Sequence, residues 1–321
     1  MNKQPVVGFV LERPKLSFTG PQALWFLNQL LSNQVEDLKP GEGRESLLLT
    51  PKGRITSILR VLATPQGALA DADGGDSQTL YDFFANRVFA TRVQVADVTD
   101  DFTIFRLLGA GAVPAIAEGL GLTEAMPEEP NSNLAVGSAV LVALPPPFDG
   151  VDLWVRHERR ADIVDLLDRC NVRSIDASEY EVMRVEAGVP ELGKDLRGGY
   201  LPQEAALERA VHFKKGCYLG QEAVAMAQRG RTRKRLRHLR FTSEPALGEA
   251  LFEGEPAGTV TSVSRRGYGI GMLKTSVPID AEVMVGESRA LATVAELPGT
   301  VYGPSVPSAR ELRERLQGQQ Q

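Results

Sequence analysis

One segment of the chain combines a thiol, two ammonium groups and two glycines within nine residues. Lys214 is followed by Lys-Gly-Cys-Tyr-Leu-Gly-Gln-Glu at 215–222. Strong helix formers from Gln221 to Gln228 predict a helix, so Cys217 should lie just ahead of its N-terminus. The helix dipole and the neighbouring lysines would both stabilise a thiolate there. The pattern predicts a partly exposed reactive thiol at Cys217 with Lys215 beside it. The alternative is a small, buried and unreactive cysteine.

A second segment could bind a ligand through a carboxylate. It reads Arg-Val-Glu-Ala-Gly-Val-Pro at 184–190. The pattern Ser178-x-x-Glu181 is a capping box and predicts a helix from there to about Gly188. Glu186 would then be fixed near the helix end, where a carboxylate can accept two parallel N–H bonds from a planar heterocycle. The alternative is a surface glutamate that only ends the helix.

The elements that must position these segments indicate an α+β fold followed by a β-barrel. Apolar periodicity and capping signals predict helices over 21–33, 77–90, 113–122 and 158–170, with Ser77 as the N-cap of the second. Strands are expected at 46–50 and 55–62, which form a hairpin, and at 92–98, 102–108, 134–144 and 151–156. After Arg240, short apolar runs between Gly and Pro predict a small barrel.

These patterns predict three regions. Residues 1–232 should form an α+β region of two intertwined lobes, and 233–303 the barrel. The tail, 304–321, should be partly disordered, with one short helix at 309–316.

Composition argues against a metal-binding, a secreted and a membrane-spanning protein. The chain has 321 residues, a net charge of −5 and two cysteines. Two cysteines without metal-ligand spacing predict reduced thiols and no metal site. The N-terminus lacks an apolar signal segment, and no apolar run approaches ~18 residues, so we expect a cytoplasmic protein without a membrane partner.

A local basic stretch contrasts with the acidic chain. Residues 229–240 contain seven lysines and arginines. One interpretation is an RNA-binding module that contacts phosphates. The other is a solvated connector leading into the first barrel strand, with Leu236, Leu239 and Phe241 as buried anchors. We favour the second, because no aromatic residues that could stack on bases are interleaved with the charges.

The two segments together resemble a known family. The order Arg-x-Glu-x-Gly-x-Pro, then Pro202-x-Glu204, then the octapeptide at 215–222 is similar to the YgfZ group. These proteins are relatives of the glycine-cleavage aminomethyltransferase. The runs at 26–33, 40–41 and 52–55 fit the opening of the same family, so the resemblance extends from about Gly20 to Leu297.

The resemblance implies a fold, a cofactor and a cellular role. The fold would be three lobes around a central channel that binds tetrahydrofolate or a one-carbon derivative. The implied role is accessory: supporting iron–sulfur cluster assembly or repair and iron–sulfur-dependent tRNA modification, with iron–sulfur proteins or assembly factors as partners. The family motif assigns the cofactor contacts to Glu186, which would hold the pterin ring, and to Arg184, Tyr218, Gln221 and Glu222.

A true aminomethyltransferase is the alternative activity. That enzyme resembles this chain but has an aspartate pair where the present sequence reads Gly-Arg-Ile-Thr-Ser-Ile at 53–58. Neither Thr56 nor Ser57 can supply the charge that acts on the amine during one-carbon transfer. If the protein is an enzyme, we expect a tetrahydrofolate-dependent one-carbon transferase without glycine-cleavage activity. Two departures from the family pattern are Gln34, where Asp is common, and Met226, near a common arginine.

Overall fold

The structure is a computed structural model that describes residues 5–122, 129–197, 199–230 and 232–298. The predicted tail at 304–321 lies outside these residues. Six α-helices, α1–α6, span Ala23–Leu30, Ser77–Ala85, Ala112–Gly119, Arg160–Arg169, Ala177–Glu186 and Gln221–Arg229 in the described part of the chain. Short 3-10 helices cover His157–Arg159 and Glu208–Ala210.

Seventeen strands in the same described ranges form two open sheets and one barrel. In chain order, β1–β17 span Val7–Leu11, Lys15–Thr19, Gly43–Leu49, Ile55–Thr64, Gly67–Asp73, Gln94–Asp97, Phe102–Leu108, Asn133–Val136, Ala139–Ala143, Gly150–Arg156, Arg173–Ser174, Lys234–Phe241, Gly248–Phe252, Glu255–Ser264, Tyr268–Lys274, Glu282–Val285 and Ala290–Ala295.

The first open sheet has the order β3-β4-β5-β2-β6, and the second has the order β11-β1-β7-β10-β9-β8. Helices α1 and α2 pack on the five-stranded sheet around Phe18, Leu27 and Phe84. The two sheets contact each other through a shared apolar cluster that includes Leu62 of β4 and Trp154 of β10. This contact brings β4 and β5 close to β7 and β10, which carry the charged side chains described below.

The C-terminal strands close into a six-stranded barrel in the order β12-β15-β14-β13-β16-β17. Alternate apolar side chains fill it, among them Leu239, Val260 and Val294. Helix α5 packs against β14 and β15, and the ring Nε2 of His238 lies 2.9 Å from the Val185 carbonyl oxygen. The predicted α+β fold with a C-terminal barrel is therefore confirmed.

Several local predictions differ from the structure. Asp76, not Ser77, caps α2 by accepting the Thr79 N–H, and Asp176 replaces the predicted capping box of α5 by accepting the Glu179 N–H. In both helices an aspartate one or two residues earlier accepts an amide N–H of the first turn, so each helix begins slightly before the predicted cap. The predicted strand 134–144 is a hairpin that turns at Gly137, whose φ is +58°.

Candidate functional site

A central cavity lies where the two sheets, several connecting segments and the end of the barrel meet. Its volume is about 90 Å³. Apolar walls come from the segment 144–148, which includes three consecutive prolines and Phe148, and from the segment 205–207. The charged side chains that line the cavity are those of Arg13, Glu45, Arg60, Asp73, Arg106 and Arg209.

A buried charged network forms the polar wall of this cavity. Arg60 donates from Nε to Asp71 at 2.6 Å and from Nη1 to Asp152 at 2.7 Å. Arg106 donates two hydrogen bonds to Asp152, at 2.9 and 2.8 Å, and one to the Tyr180 hydroxyl. Because Arg60 and Asp71 come from one sheet and Asp152 and Arg106 from the other, the network joins the sheets electrostatically. Nη2 of Arg60 is buried and has no hydrogen-bond partner among the described residues.

Asp152 within this network and Asp73 beside it differ in how completely their carboxylate oxygens are paired. Burial alone would raise the pKa of Asp152, but its bonds to Arg106 and Arg60 lower that pKa to about 2. For Asp73 the balance is opposite: burial raises the pKa, and the opposing attraction of Arg13 is weaker. The nearest nitrogen of Arg13 is 3.9 Å from the Asp73 carboxylate. Asp73 is therefore an incompletely paired carboxylate inside the cavity.

The sequence interpretation missed these residues, although a signal was present. Arginine and aspartate interrupt strands that are otherwise apolar, as in Ile-Leu-Arg-Val-Leu at 58–62 and Val-Asp-Leu-Trp-Val at 151–155. A charge at an inward position of such a strand is costly unless it is paired or used. Pairing between strands 46 or 92 residues apart could not be inferred from spacing.

The octapeptide at 215–222 forms the loop that leads into α6. Its Lys215 is buried, and Nζ donates to the carbonyl oxygens of Asn28, Leu31 and Asn33 at 2.7, 2.8 and 2.7 Å. Burial lowers the pKa of Lys215 to about 8, so the ammonium form still predominates at pH 7. The ammonium thus caps the C-terminal end of α1, where exposed carbonyls favour a cation. These contacts give Lys215 a structural role, and its predicted partnership with Cys217 stays a prediction.

Cys217 is exposed, as predicted, and α6 begins at Gln221 as the helix-former pattern indicated. The turn between them depends on Gly220, which has a φ of +83°. A Cβ at Gly220 would lie 2.5 Å from the Thr50 carbonyl oxygen and 2.9 Å from Gly53 Cα. Two glycines therefore let the loop pack directly on the β3–β4 turn. Cys217 itself is not among the residues that line the central cavity.

The remaining octapeptide residues have mainly structural contacts. Tyr218 is buried in the core beneath the loop, and burial raises its pKa to about 12. Gln221 donates from Nε2 to the Lys215 carbonyl oxygen at 3.4 Å, and Glu222 is exposed on the first turn of α6. None of the three lines the central cavity, so their predicted cofactor contacts are not brought to it by the fold.

Arg184 is a structural hub. Its five N–H donors match five hydrogen bonds of 2.6–2.9 Å, two to Glu181 and one each to the Val189 carbonyl, Asp195 and Ser262. These contacts join α5, the following loop and strand β14 of the barrel. Because every donor is occupied, the guanidinium has none left for a ligand. The structure thus shows Arg184 joining these elements, and its contact with a cofactor stays a prediction.

Glu186 is the last residue of α5. Its carboxylate accepts from the Ser264 hydroxyl and from Arg266, both at 3.2 Å, in the β14–β15 turn of the barrel. Gly188, two residues later, lines the cavity, but Glu186 does not. A Cβ at Gly188 would lie 2.4 Å from Pro298 Cδ, so the motif glycine permits close contact between this segment and the end of the barrel. Contact between Glu186 and a pterin ring remains a prediction.

The octapeptide and the cavity are linked through Asn33. The Asn33 carbonyl accepts from Lys215, and its side-chain amide donates to the backbone carbonyls of Glu45 and Arg209, at 2.8 and 3.2 Å. The side chains of Glu45 and Arg209 line the cavity and form an ion pair at 3.0 Å. Asn33 therefore connects the octapeptide loop to the cavity wall.

The basic stretch is mostly the barrel strand β12, as the favoured interpretation predicted. Leu236, Leu239 and Phe241 are buried anchors. The charges are largely engaged within the chain, because Arg235 pairs with Glu208 and Arg237 with Glu296, while Lys234 lies 4.3 Å from the centre of the Tyr200 ring. Arg231 is outside the described residues.

Cys170 and Cys217 are both free thiols. Within the described ranges, no group of three His, Cys, Asp or Glu side chains is arranged to hold a metal ion. No helix in that part of the chain is both long enough and apolar enough to cross a membrane.

The known proteins that are similar to this chain are YgfZ proteins and aminomethyltransferases. No protein-family model matches the chain. A tRNA-modifying protein YgfZ from Edwardsiella ictaluri is 25% identical over 301 residues, which cover 88% of this chain and 89% of the relative. An aminomethyltransferase from Streptomyces coelicolor is 25% identical over 228 residues, covering 66% of this chain and 60% of that relative.

A solved structure shares the fold. The crystal structure of the glycine cleavage system aminomethyltransferase T from Bartonella henselae superimposes with a TM-score of 0.82, at 20% identity, over 93% of this chain and 87% of that one.

Proposed function

We propose that this chain, a YgfZ-like member of the glycine-cleavage aminomethyltransferase superfamily, binds tetrahydrofolate or a one-carbon derivative in its central cavity. The observation that carries the proposal is the cavity itself. It combines apolar walls with a few charged groups, which is the lining usual for small-molecule sites. A flat conjugated ring needs this combination of apolar contact and oriented polar partners.

The finer role that we propose is accessory: the folate-loaded protein supports iron–sulfur enzymes, including those that modify tRNA. Two features support it. A relative that aligns with most of this chain is named a tRNA-modifying protein. The exposed Cys217 is presented on a loop that Lys215 and Gly220 hold in place. An exposed thiol on a rigid loop can exchange with sulfur carried by another protein.

Calorimetric titration with tetrahydrofolate tests the binding proposal. We expect saturable binding with one site, and no measurable heat from tetrahydrofolate would refute the proposal. The accessory role is tested separately in cells that lack the endogenous protein. Cys217→Ser should fail to restore iron–sulfur enzyme activity, whereas Cys170→Ser, the matched control, should restore it. Full restoration by Cys217→Ser would contradict the thiol role.

One-carbon transfer is the second candidate function. Ser57 stands where the aminomethyltransferases have an aspartate pair, and its hydroxyl donates to the Gly74 carbonyl. However, Asp73 on β5 pairs directly with Ile58 on β4, and both line the cavity. A carboxylate is thus available from the neighbouring strand. We expect no tetrahydrofolate-dependent ammonia release in a reconstituted glycine-cleavage assay; measurable release would favour this second function.

A further inference from the structure

We propose that a basic groove at the C-terminal end of α6 docks an acidic segment of a partner protein, one that also carries an apolar side chain. The groove lies between α6, the paired ends of β12 and β15, and the segment 201–204. The charged residues that line it are four cations and one carboxylate: Arg54, Arg233, Lys234, Lys274 and Glu204. Because the whole chain has a net charge of −5, the groove is a local basic surface on an acidic protein.

Three of these cations have no carboxylate partner. Lys234 and Lys274 stand directly opposite each other on β12 and β15. Nζ of Lys234 lies 4.3 Å from the centre of the Tyr200 ring, and Nζ of Lys274 donates to the Pro256 carbonyl oxygen at 2.6 Å. Among the described residues, no carboxylate forms an ion pair with either lysine or with Arg233. Like charges opposite each other destabilise a strand pair, so an anionic partner would relieve this repulsion.

The carboxylate of the groove is already bonded within the chain. Glu204 accepts from Nη1 of Arg54 at 2.9 Å and from the backbone N–H of Leu201 at 3.0 Å. Its side chain is 11% exposed, whereas that of Arg54 is 42% exposed. Glu204 therefore compensates Arg54 and leaves the charges of the other three cations unbalanced.

Apolar side chains beside the cations favour a protein as the partner. Met226 is 72% exposed on α6, and it lines the groove together with Leu201 and Ala227. Methionine and arginine are both enriched at protein interfaces, where the flexible thioether adapts to irregular surfaces. A nucleic acid would instead need open aromatic rings for stacking, and the Tyr200 ring beside the groove is covered by Lys234.

The groove and Cys217 lie at opposite ends of one short helix. Helix α6 has nine residues, so it spans only ~13 Å between the loop that exposes Cys217 and the groove. A typical protein interface buries about 800 Å² on each partner, which is roughly 30 Å across. A protein that docks in the groove therefore also covers the Cys217 loop. That this protein exchanges sulfur with Cys217 rests on the proposed accessory role.

The direct test measures fluorescence anisotropy with the full chain and three labelled probes. The probes are a peptide that alternates Glu and Leu, a peptide of equal length that alternates Glu and Ser, and a single-stranded RNA of mixed sequence. We expect the Glu-Leu peptide to bind saturably and at least tenfold more tightly than the other two, and to weaken as salt screens the exposed charges. No binding of the Glu-Leu peptide, or tighter binding of the RNA, would overturn the inference.

Two variants, each with a matched control, test the two parts of the surface. Lys274→Glu should weaken the Glu-Leu peptide at least tenfold, whereas Arg160→Glu, the same charge change on an exposed position of α4, should bind like the wild type. Met226→Gln should weaken the Glu-Leu peptide at least fivefold and leave the Glu-Ser peptide unchanged. Its control is Val164→Gln, which changes an exposed apolar residue of α4. If either groove variant binds as its control does, the assigned contact is wrong.

The stability of Lys274→Glu separates a docking role from a structural one. The substitution places a carboxylate opposite Lys234, so the variant should unfold at the same temperature as the wild type, or at a higher one, at pH 7. A lower unfolding temperature, or failure to fold, would show that Lys274 supports the barrel and would contradict the inference. Arg233→Glu is an independent second variant, for which we also expect at least tenfold weaker peptide binding.

Activity in cells that lack the endogenous protein distinguishes this inference from the accessory role. We expect Lys274→Glu to restore less iron–sulfur enzyme activity than Arg160→Glu does. If Cys217→Ser restores full activity, the accessory role fails, and the peptide titrations alone decide whether the groove docks an acidic segment. If Cys217→Ser fails to restore activity but Lys274→Glu restores it fully, the accessory role stands and the present inference is refuted.

Discussion

The two adjacent lysines of the octapeptide loop should differ sharply when each is replaced by methionine. Lys215 is buried and donates to three carbonyl oxygens at 2.7–2.8 Å, whereas Lys214 is exposed. Three charge-assisted hydrogen bonds contribute ~1.5–3 kcal/mol each. Burial lowers the pKa of Lys215 to about 8, so the desolvation of the ammonium group offsets part of this gain.

We therefore expect Lys215→Met to reduce the free energy of unfolding by about 3 kcal/mol, since it also leaves buried carbonyls without a donor. Lys214→Met should stay within ~0.5 kcal/mol of the wild type, as is usual for surface positions. Urea unfolding followed by circular dichroism measures both variants. Hydrogen exchange should also show faster exchange at 216–220 in Lys215→Met alone. If the two variants are equally stable, the assignment of Lys215 as the anchor of this loop is wrong.

Three further predictions follow from other parts of the structure. Because the pKa of Asp152 is lowered to about 2, its stabilising contribution, roughly 2–3 kcal/mol, is complete above pH ~4 and lost as the pH falls towards 2. Acid unfolding of Asp152→Asn should lack that step, and an unchanged acid transition would argue against it. Gly220→Ala should cost at least ~1 kcal/mol in thermal unfolding, because the new Cβ would lie 2.5 Å from the Thr50 carbonyl oxygen; a neutral effect would contradict the close packing of the loop. If the Glu186 carboxylate leaves Arg266 to hold the pterin ring, Glu186→Ala should weaken the binding of tetrahydrofolate by roughly 1.5–3 kcal/mol. Wild-type affinity in calorimetry would remove Glu186 from the binding site.

The residues of the octapeptide divide into those that support the loop and the one that the loop exposes. Lys215 anchors the loop to α1, Tyr218 fills the core, and Gly220 permits contact with the β3–β4 turn. Cys217 is the exposed member with a nucleophilic atom. Most residues of the octapeptide are therefore needed to build one loop, and this structural requirement accounts for its distinctive sequence.

Local sequence information was sufficient for much of the fold. Turn residues between apolar runs predicted the barrel strands after Arg240 and the hairpin at 46–62, because these elements depend on neighbouring residues and on alternation with period two. The start of α6 at Gln221 and the exposure of Cys217 were predicted for the same reason. The family resemblance, carried by the motifs at 184–190 and 215–222, supplied the three-lobed architecture.

The tertiary structure decided which charges are used for support and which face the cavity. Arg184 and Lys215 are in motif positions that suggested chemistry, but their donors are occupied by buried oxygens from distant segments. Asp71 and Asp73 are two residues apart on the same strand face, and the sequence treats them alike. They differ because Arg13 and Arg60 converge on Asp71, while Asp73 is left facing the cavity. Such a difference arises from distances between strands that are far apart in the chain, so no local pattern contains it.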